Sequence, residues 1–539
     1  MKRSALFVSI LLLALATSWL TAQSAPATPV SSIRPDRAAA LVKGPYLQAL
    51  TGTSVQIRWQ AKENVRGEVV WGTAPDRLDQ SMKADTYPKQ VVVLDENDSP
   101  LKKTVWMQRV ELAKLAPGTA YHYRVRQGGD AGETFRFTTP ARGLTRFRFA
   151  VYGDTRTYPA DHHKVARAMI KAKPAFVVHT GDLISSGGRW WEWQSEFFDP
   201  LYPLLTETPM WVVRGNHDGG GYFTGLFHVP RPIPKYAFYR FDYGNARFLV
   251  LEWKAPRIEM FAWLEMQLAA RPRPTWTFIF VHYPVFNATS KRGYGRGWER
   301  ERLALLCQRY GVDMVFSGHD HDYMRTVPVL AYRTTPGQPT TYVVTAGGGA
   351  PLYRPNRCTF HEKAVRVHHF CRLDIDGRTL AFRAINANDG SVIDSLDLEK
   401  DAKGAFVRPA DYRARARDVA SINAIETLRR ELTAFGLPAT DPGREYPLRR
   451  DVYNPFDGPV KVTVRFSGSR SRWHPADPVS LTLPPHGRTP FRMVLKCKVS
   501  MENEPETAHL VADYELPDGR KGTLHGEGFR IGSRPRVNK

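Results

Sequence analysis

Phe147-Arg148-Phe149-Ala150-Val151-Tyr152-Gly153-Asp154 is a mostly apolar run that ends in a glycine and an aspartate. A stretch apolar on both faces suits a strand buried from both sides, and a glycine lets the chain turn tightly where it ends. The pattern recurs. Val177-Val178-His179-Thr180 runs into Gly181-Asp182, and Trp211-Val212-Val213-Arg214 into Gly215-Asn216-His217-Asp218. Phe280-Val281 runs into His282-Tyr283-Pro284, and Val315-Phe316-Ser317 into Gly318-His319-Asp320-His321. Further strands are expected at Phe248 to Trp253 and Tyr342 to Thr345, with helices at Asp161 to Lys173, Glu259 to Ala270 and Trp298 to Tyr310. Strands alternating with helices predict an α/β layout over residues 141–400.

On either side the rhythm changes. Residues 41–140 show short alternating runs, among them Ser54 to Gln60, Gly67 to Thr73, Thr104 to Leu112, Ala120 to Gln127 and Thr134 to Thr139, and predict an all-β sandwich. Residues 401–440 read as a helical connector with a helix at Ala416 to Phe435, and residues 441–539 return to alternation as a second, immunoglobulin-like β-sandwich. Lys2 and Arg3 precede a run from Ala5 to Leu15 that is apolar apart from Ser9, followed by small residues at Ala22 and Ser24, the pattern of a secretory signal peptide over residues 1–24. The expected location is therefore periplasmic or extracellular, with no transmembrane segment after cleavage. Of four cysteines, Cys358 and Cys371 lie near enough in sequence to pair across a loop, and Cys307 reads as a buried thiol.

At 539 residues the chain exceeds one core and is multidomain. Its 42% hydrophobic and 24% charged residues exclude a disordered, collagen-like or polytopic membrane protein. Lys plus Arg number 76 against 53 Asp plus Glu, a formal charge of +23 that favours anionic partners such as phosphate esters, nucleic acid or acidic lipid. Charge does not choose among them, but no nucleic-acid motif is present and specific nucleic-acid binding is not expected.

The polar residues fall at the strands' C-terminal ends, where open α/β sheets bind ligands. Five segments would thus deliver Asp154, Asp182, Asn216, His282 and the pair His319 and His321 to one rim. Carboxylate, amide and imidazole donors suit Zn, Mn or Fe. Two such ions flanking a phosphate ester can address both the attacking and the leaving oxygen.

The ordered set Gly153-Asp154, Gly181-Asp182, Gly215-Asn216-His217-Asp218, His282 and Gly318-His319-Asp320-His321 resembles the calcineurin-like metallophosphoesterase superfamily, and within it purple acid phosphatase-like proteins. Gly44-Pro45-Tyr46-Leu47-Gln48 resembles the opening of their fibronectin type III-like N-terminal domain. The resemblance implies a four-layer α/β/β/α sandwich flanked here by the two β-sandwiches. It implies two divalent or trivalent transition metal ions, Fe, Zn or Mn. Asp182 would bridge them, Asp154 and His321 would hold the first, and Asn216, His282 and His319 the second. His217 would bind the phosphate and protonate the leaving group, with Asp218 tuning His217. The implied reaction is hydrolysis of a small phosphomonoester by in-line attack of a metal-bound hydroxide. The alternatives are a phosphodiesterase on nucleotide or lipid-headgroup diesters, or a cell-surface protein with a vestigial metal site that associates through its sandwiches.

Two positions depart from the family. Where purple acid phosphatases carry an iron-binding tyrosine stands Ser185, so their colour is not expected. Where related branches carry a histidine stands Arg156, leaving the first metal short of a ligand, completed by water or by His162 or His163, while the Arg156 fork could grip phosphate. Read singly, His162 and His163 at a helix start are more often solvent-facing. His179 reads as a core residue, Trp190, Trp191 and Trp193 as packing or a pocket rim, Gly347-Gly348-Gly349 as a turn near the site, and Lys291 to Arg296 as a basic loop.

Overall fold

Successive side chains of a strand face opposite ways, so a strand apolar on both faces needs cover on both. In the strand Arg146–Tyr152, Phe149 and Val151 enter a core with Phe176, Val178, Phe248, Phe278, Phe280 and Phe316. Ala150 and Tyr152 face the other way, against Val165, Met169 and Leu201. On the facing sheet Leu249, Ile279 and Val315 meet Phe261, Leu264 and Leu303. Two seven-stranded sheets therefore stack face to face, with helices Pro159–Ala172 and Asp199–Leu205 outside one and Arg257–Ala269 and Gly297–Tyr310 outside the other. This is the expected α/β/β/α order. The structure is a computed structural model that describes residues 40–531 apart from 96, 98, 231–234, 253, 288–296, 356–357, 438–439, 502–507 and 527–528. Residues 1–24 and the basic loop from Lys291 to Arg296 lie outside the described residues.

Direction within the sheets places the site. Strands Met210–Val212, Phe176–His179 and Arg146–Tyr152 run parallel in one sheet, and Ala246–Leu251, Trp276–Val281, Met314–Ser317 and Thr341–Thr345 in the other. Each parallel set ends on one rim. The inner faces are aromatic, with Phe149 and Phe176 stacked at 5.2 Å between ring centroids. Tyr323 and Arg325 on the second sheet reach Asp394 on the first, with Arg325 held at 2.7 and 2.9 Å.

Ahead of this sandwich, two sheets enclose a core around Trp59 and Tyr123. Tyr46 Oη donates to the Leu226 carbonyl at 2.8 Å and Tyr123 Oη to that of Thr206 at 2.7 Å, fixing this domain on the α/β body. The strand Asp85–Leu94 escaped the sequence reading. It carries Pro88 and polar residues because it is an edge strand, paired only with Pro100–Leu112.

Beyond residue 400 the structure departs from a plain connector. Strand Phe406–Arg408 extends the first large sheet. The helix runs Val419–Thr433, inside the expected span, and starts later because Arg417–Asp418 pairs with Val329–Leu330 and Asp418 caps the helix, accepting from Ser421 N at 2.8 Å. Its Val419 and Ile422 enter the outer core of the second sheet, while Ile425, Leu428 and Leu432 share a core with the C-terminal strands. Those strands form a pair, Glu445–Tyr453 with Arg488–Lys496, and a four-stranded sheet.

All four cysteines are free thiols. Cys358 and Cys371 do not pair, because Cys371 lies between the two sheets, its Sγ 3.4 Å from Thr345 Oγ1, whereas Cys358 packs against the outer core. No described helix is long and apolar enough to cross a membrane.

Candidate metal centre

The loops that follow the parallel strands meet at the rim through backbone contacts that leave no room for side chains. A Cβ on Gly215 would lie 2.2 Å from Asp182 Oδ1, and one on Gly318 2.4 Å from Asp154 Oδ2. Asp154, Asp182 and His319 adopt left-handed backbone, with φ of 57°, 56° and 71°. Such conformations cost about 1 kcal/mol or more each and gather at functional sites.

His282 is the hub. Its Nε2 lies 3.1 Å from Asn216 Oδ1, 3.2 Å from His319 Nδ1 and 3.3 Å from Asp182 Oδ1. Its Nδ1 donates to the Thr180 carbonyl at 2.9 Å, which leaves Nε2 as the donor atom for a metal. Asp182, His282 and His319 each offer a ligand atom within 4.8 Å of one another, the one such group among the described residues. These donors fit a single transition metal ion. Burial works against charge on His282, but Asp182 and Asp154 raise it to about 9. Burial likewise pushes the Asp182 carboxyl up, yet the charge and hydrogen bond of His282, with His217 beyond, hold it below the usual carboxylate range. A field that favours an imidazolium here is a field that favours a cation.

The residues expected around the first ion are arranged differently. Asp154 Oδ1 is buried without a hydrogen bond, 3.4 Å from His321 Nε2, while Oδ2 accepts from His319 N at 2.8 Å. His321 Nδ1 donates to the Pro351 carbonyl at 2.8 Å. Between these residues and Asp182 reaches Arg156, its Nη2 3.4 Å from His321 Nε2 and its Nε 3.8 Å from Asp182 Oδ2. Neither histidine suggested as a replacement ligand serves. His162 is fully buried rather than solvent-facing, its Nδ1 donating to the Glu196 carbonyl at 2.7 Å and its Nε2 3.1 Å from Tyr152 Oη. His163 donates to the Pro200 carbonyl. The Ser185 hydroxyl donates to Glu196 at 2.9 Å.

His217 stands at the mouth with its side chain about a third exposed, Nδ1 donating to the Ser185 carbonyl at 2.6 Å and Nε2 3.9 Å from Asp182 Oδ2. Asp218 does not reach the His217 ring, contrary to the sequence expectation. Its buried carboxylate accepts from Asp182 N at 2.9 Å, Leu183 N at 2.8 Å and Gly215 N at 2.7 Å, tying two ligand loops together. Burial and the neighbouring Asp182 charge push it up to about 7. Sequence reasoning missed this clamp, although an aspartate two residues after Asn216 in a tight turn is placed to collect backbone amides. His179 is a satisfied core residue, bonded to Thr155 Oγ1 and Gly181 N. Trp190 and Trp193 pack in the core, and Gly348 N donates to the Gly153 carbonyl at 2.9 Å, setting the glycine turn against the first ligand loop.

Two family models match the chain: calcineurin-like phosphoesterase over residues 147–323, and the purple acid phosphatase N-terminal domain over residues 45–139. The chain thus carries a calcineurin-like phosphoesterase domain preceded by a purple acid phosphatase N-terminal domain, and is purple acid phosphatase-like over these two regions. It is 29% identical over 280 residues to "Probable inactive purple acid phosphatase 1" of Arabidopsis thaliana, covering 44% of this chain and 45% of that protein. It is 28% identical over 307 residues to purple acid phosphatase 21 of the same plant, covering 53% and 66%. It thus spans less than two thirds of either relative. The purple acid phosphatase from yellow lupin (Lupinus luteus) seeds shares the fold, with a TM-score of 0.56 and 21% identity over 67% of this chain and 74% of that one.

Proposed function

We propose that the chain is an exported, metal-dependent phosphoester hydrolase acting first on phosphomonoesters. The reading rests on one observation: a largely buried, cation-favouring donor set at the strand ends, with a permanently charged guanidinium and a third-exposed imidazole beside it. Asp182, Asn216, His282 and His319 would hold the metal. When bound, the ion would act as a Lewis acid on phosphoryl oxygen.

The chain's own residues supply the rest. The Arg156 guanidinium offers paired N–H donors to the phosphoryl oxygens. Because a carbonyl can only accept, Ser185 fixes the proton of His217 on Nδ1 and directs Nε2 outward, where its protonated form can give a proton to the departing alkoxide. The N-terminal pattern of Lys2, Arg3 and the Ala5 to Leu15 run supports export.

Turnover of an aryl phosphate monoester and its bis-aryl diester by the purified protein, before and after chelation and metal restoration, tests the reading. Faster monoester hydrolysis that is lost on chelation and restored by Zn or Mn is expected. Faster diester hydrolysis would give a phosphodiesterase. No hydrolysis of either ester by metal-loaded protein would leave a binding protein, the reading favoured by the word "inactive" in one relative's name.

A further inference from the structure

We propose that this chain binds one metal ion, not two, and that the Arg156 guanidinium stands as the second positive charge of the site. The inference rests on the reading of this rim as a metal centre and specifies its composition.

Arg156 is not a surface arginine that happens to lie nearby. Its side chain is 15% exposed and its Nε is buried with no hydrogen bond. The loop that carries it is fixed at both ends, by Asp154 N donating to the Gly181 carbonyl and Tyr158 N donating to that of Arg156 itself, with Thr157 in left-handed backbone at φ 81°. Nη1 lies 3.3 Å from Thr157 Oγ1, which steadies the fork. So held, the guanidinium faces His321 Nε2, whose other nitrogen is committed to Pro351, and Asp182 Oδ2. These are the atoms that, with the unpartnered Asp154 Oδ1, would have to turn to a first ion.

A guanidinium stays protonated in proteins and has no lone pair to give. It therefore removes a ligand position and repels an incoming cation at short range. The suggested replacements do not compensate, since His162, His163 and Ser185 are each held elsewhere. Asp182, Asn216, His282 and His319 on the far side keep a complete donor set. The two halves of the rim thus differ in kind: one collects lone pairs, and the other already contains a cation.

Metal content decides the matter without reference to activity. The full-length protein is dialysed against excess Zn or Mn, desalted, and measured by mass spectrometry of the metal and by Mn electron paramagnetic resonance. One ion per chain with an uncoupled Mn signal is expected, unchanged in Asp154→Asn and lost in His319→Ala. Arg156→His, which exchanges the cation for a lone-pair donor, is expected to raise the content to two ions with an exchange-coupled signal. Two ions in the unmodified chain, none, or one that Asp154→Asn removes and His319→Ala leaves, would each overturn the proposal. One ion bound but no ester hydrolysed would leave it standing and refute the hydrolase reading instead, whereas two ions with hydrolysis would do the reverse.

Discussion

Changing Asp218 to asparagine separates two roles for a residue that the sequence assigned to His217 and the structure assigns to the loops. The carboxylate takes three backbone N–H groups, two on Oδ2 from Asp182 and Gly215 and one on Oδ1 from Leu183. An asparagine has one acceptor oxygen, so whichever way the amide turns, its NH2 group faces at least one N–H donor in a fully buried place. One orphaned donor costs about 1–3 kcal/mol, and loss of charge assistance weakens the remaining bonds by about half. Relief from burying a charge, which is what pushes Asp218 up to about 7, offsets part of this. The net expectation is a loss of about 2 kcal/mol, or roughly 4–8 °C in Tm for a body of this size. Because Asp182 belongs to the ligand set and Gly215 directly precedes Asn216, metal affinity should also fall, by about 10–100-fold as for other residues that orient ligands. Differential scanning fluorimetry and competition with a chromogenic chelator measure both. If Asp218→Asn kept its Tm and metal affinity but shifted the pH profile of kcat, the clamp argument would fail and Asp218 would act through His217.

Gly215→Ala should abolish metal binding, because the new Cβ would lie 2.2 Å from both Asp182 N and Asp182 Oδ1; equilibrium dialysis that found wild-type affinity would count against the geometry. Asp394→Ala should cost about 3–5 kcal/mol in urea denaturation, since it strands the nearly buried Arg325 guanidinium that now makes two bonds to that carboxylate; a change under about 1 kcal/mol would show that the cross-sheet pair contributes little. Acid should destabilise the fold through buried neutral histidines. Burial lowers His162 to about 3 and His369 to about 4, below the ordinary 6.5, so the unfolded chain takes up their protons first and stability falls as pH drops below about 6.5. At pH 5 each contributes a loss of about 2 kcal/mol relative to pH 8. His369→Gln should flatten the dependence of Tm on pH between 8 and 5, and an unchanged slope would refute the assignment.

The architecture was legible because burial on both faces leaves a mark in the residues themselves. Phe147 to Tyr152 and Met314 to Ser317 could be read as central strands from their apolar content, and the polar residues at their ends named the rim. The strand Asp85–Leu94 was not legible, since an edge strand exposed or half-buried along nearly its whole length carries no regular alternation, and Pro88 argued against it. Residues 401–440 misled for another reason. A helix that divides its apolar face between two cores, Val419 and Ile422 in one and Leu428 and Leu432 in the other, has the sequence of any amphipathic helix, and only its partners show what it joins. Likewise His162 carries nothing in its neighbours to distinguish a buried histidine from a solvated one. Its burial follows from Tyr152 and Glu196, 10 and 34 residues away.

The same limit applies inside the site, where the sequence named the turns but not the residues that bear their strain. A glycine before an aspartate or histidine suggests that glycine takes the left-handed conformation. At Gly181 it does, with φ of 101°, but at the first and last turns Asp154 and His319 take it, and Asp182 joins them. Gly153 and Gly318 serve proximity instead: a Cβ on Gly153 would lie 2.0 Å from Thr180 Oγ1, and one on Gly318 2.4 Å from Asp154 Oδ2. Strain thus falls on the side chains that face the rim, while small size is required of their neighbours. That division follows from the chemistry: turning a ligand back over the end of its own strand needs a left-handed step at the ligand, and packing two such turns within hydrogen-bond reach, as His319 N on Asp154 Oδ2 at 2.8 Å, leaves space only for hydrogen beside them.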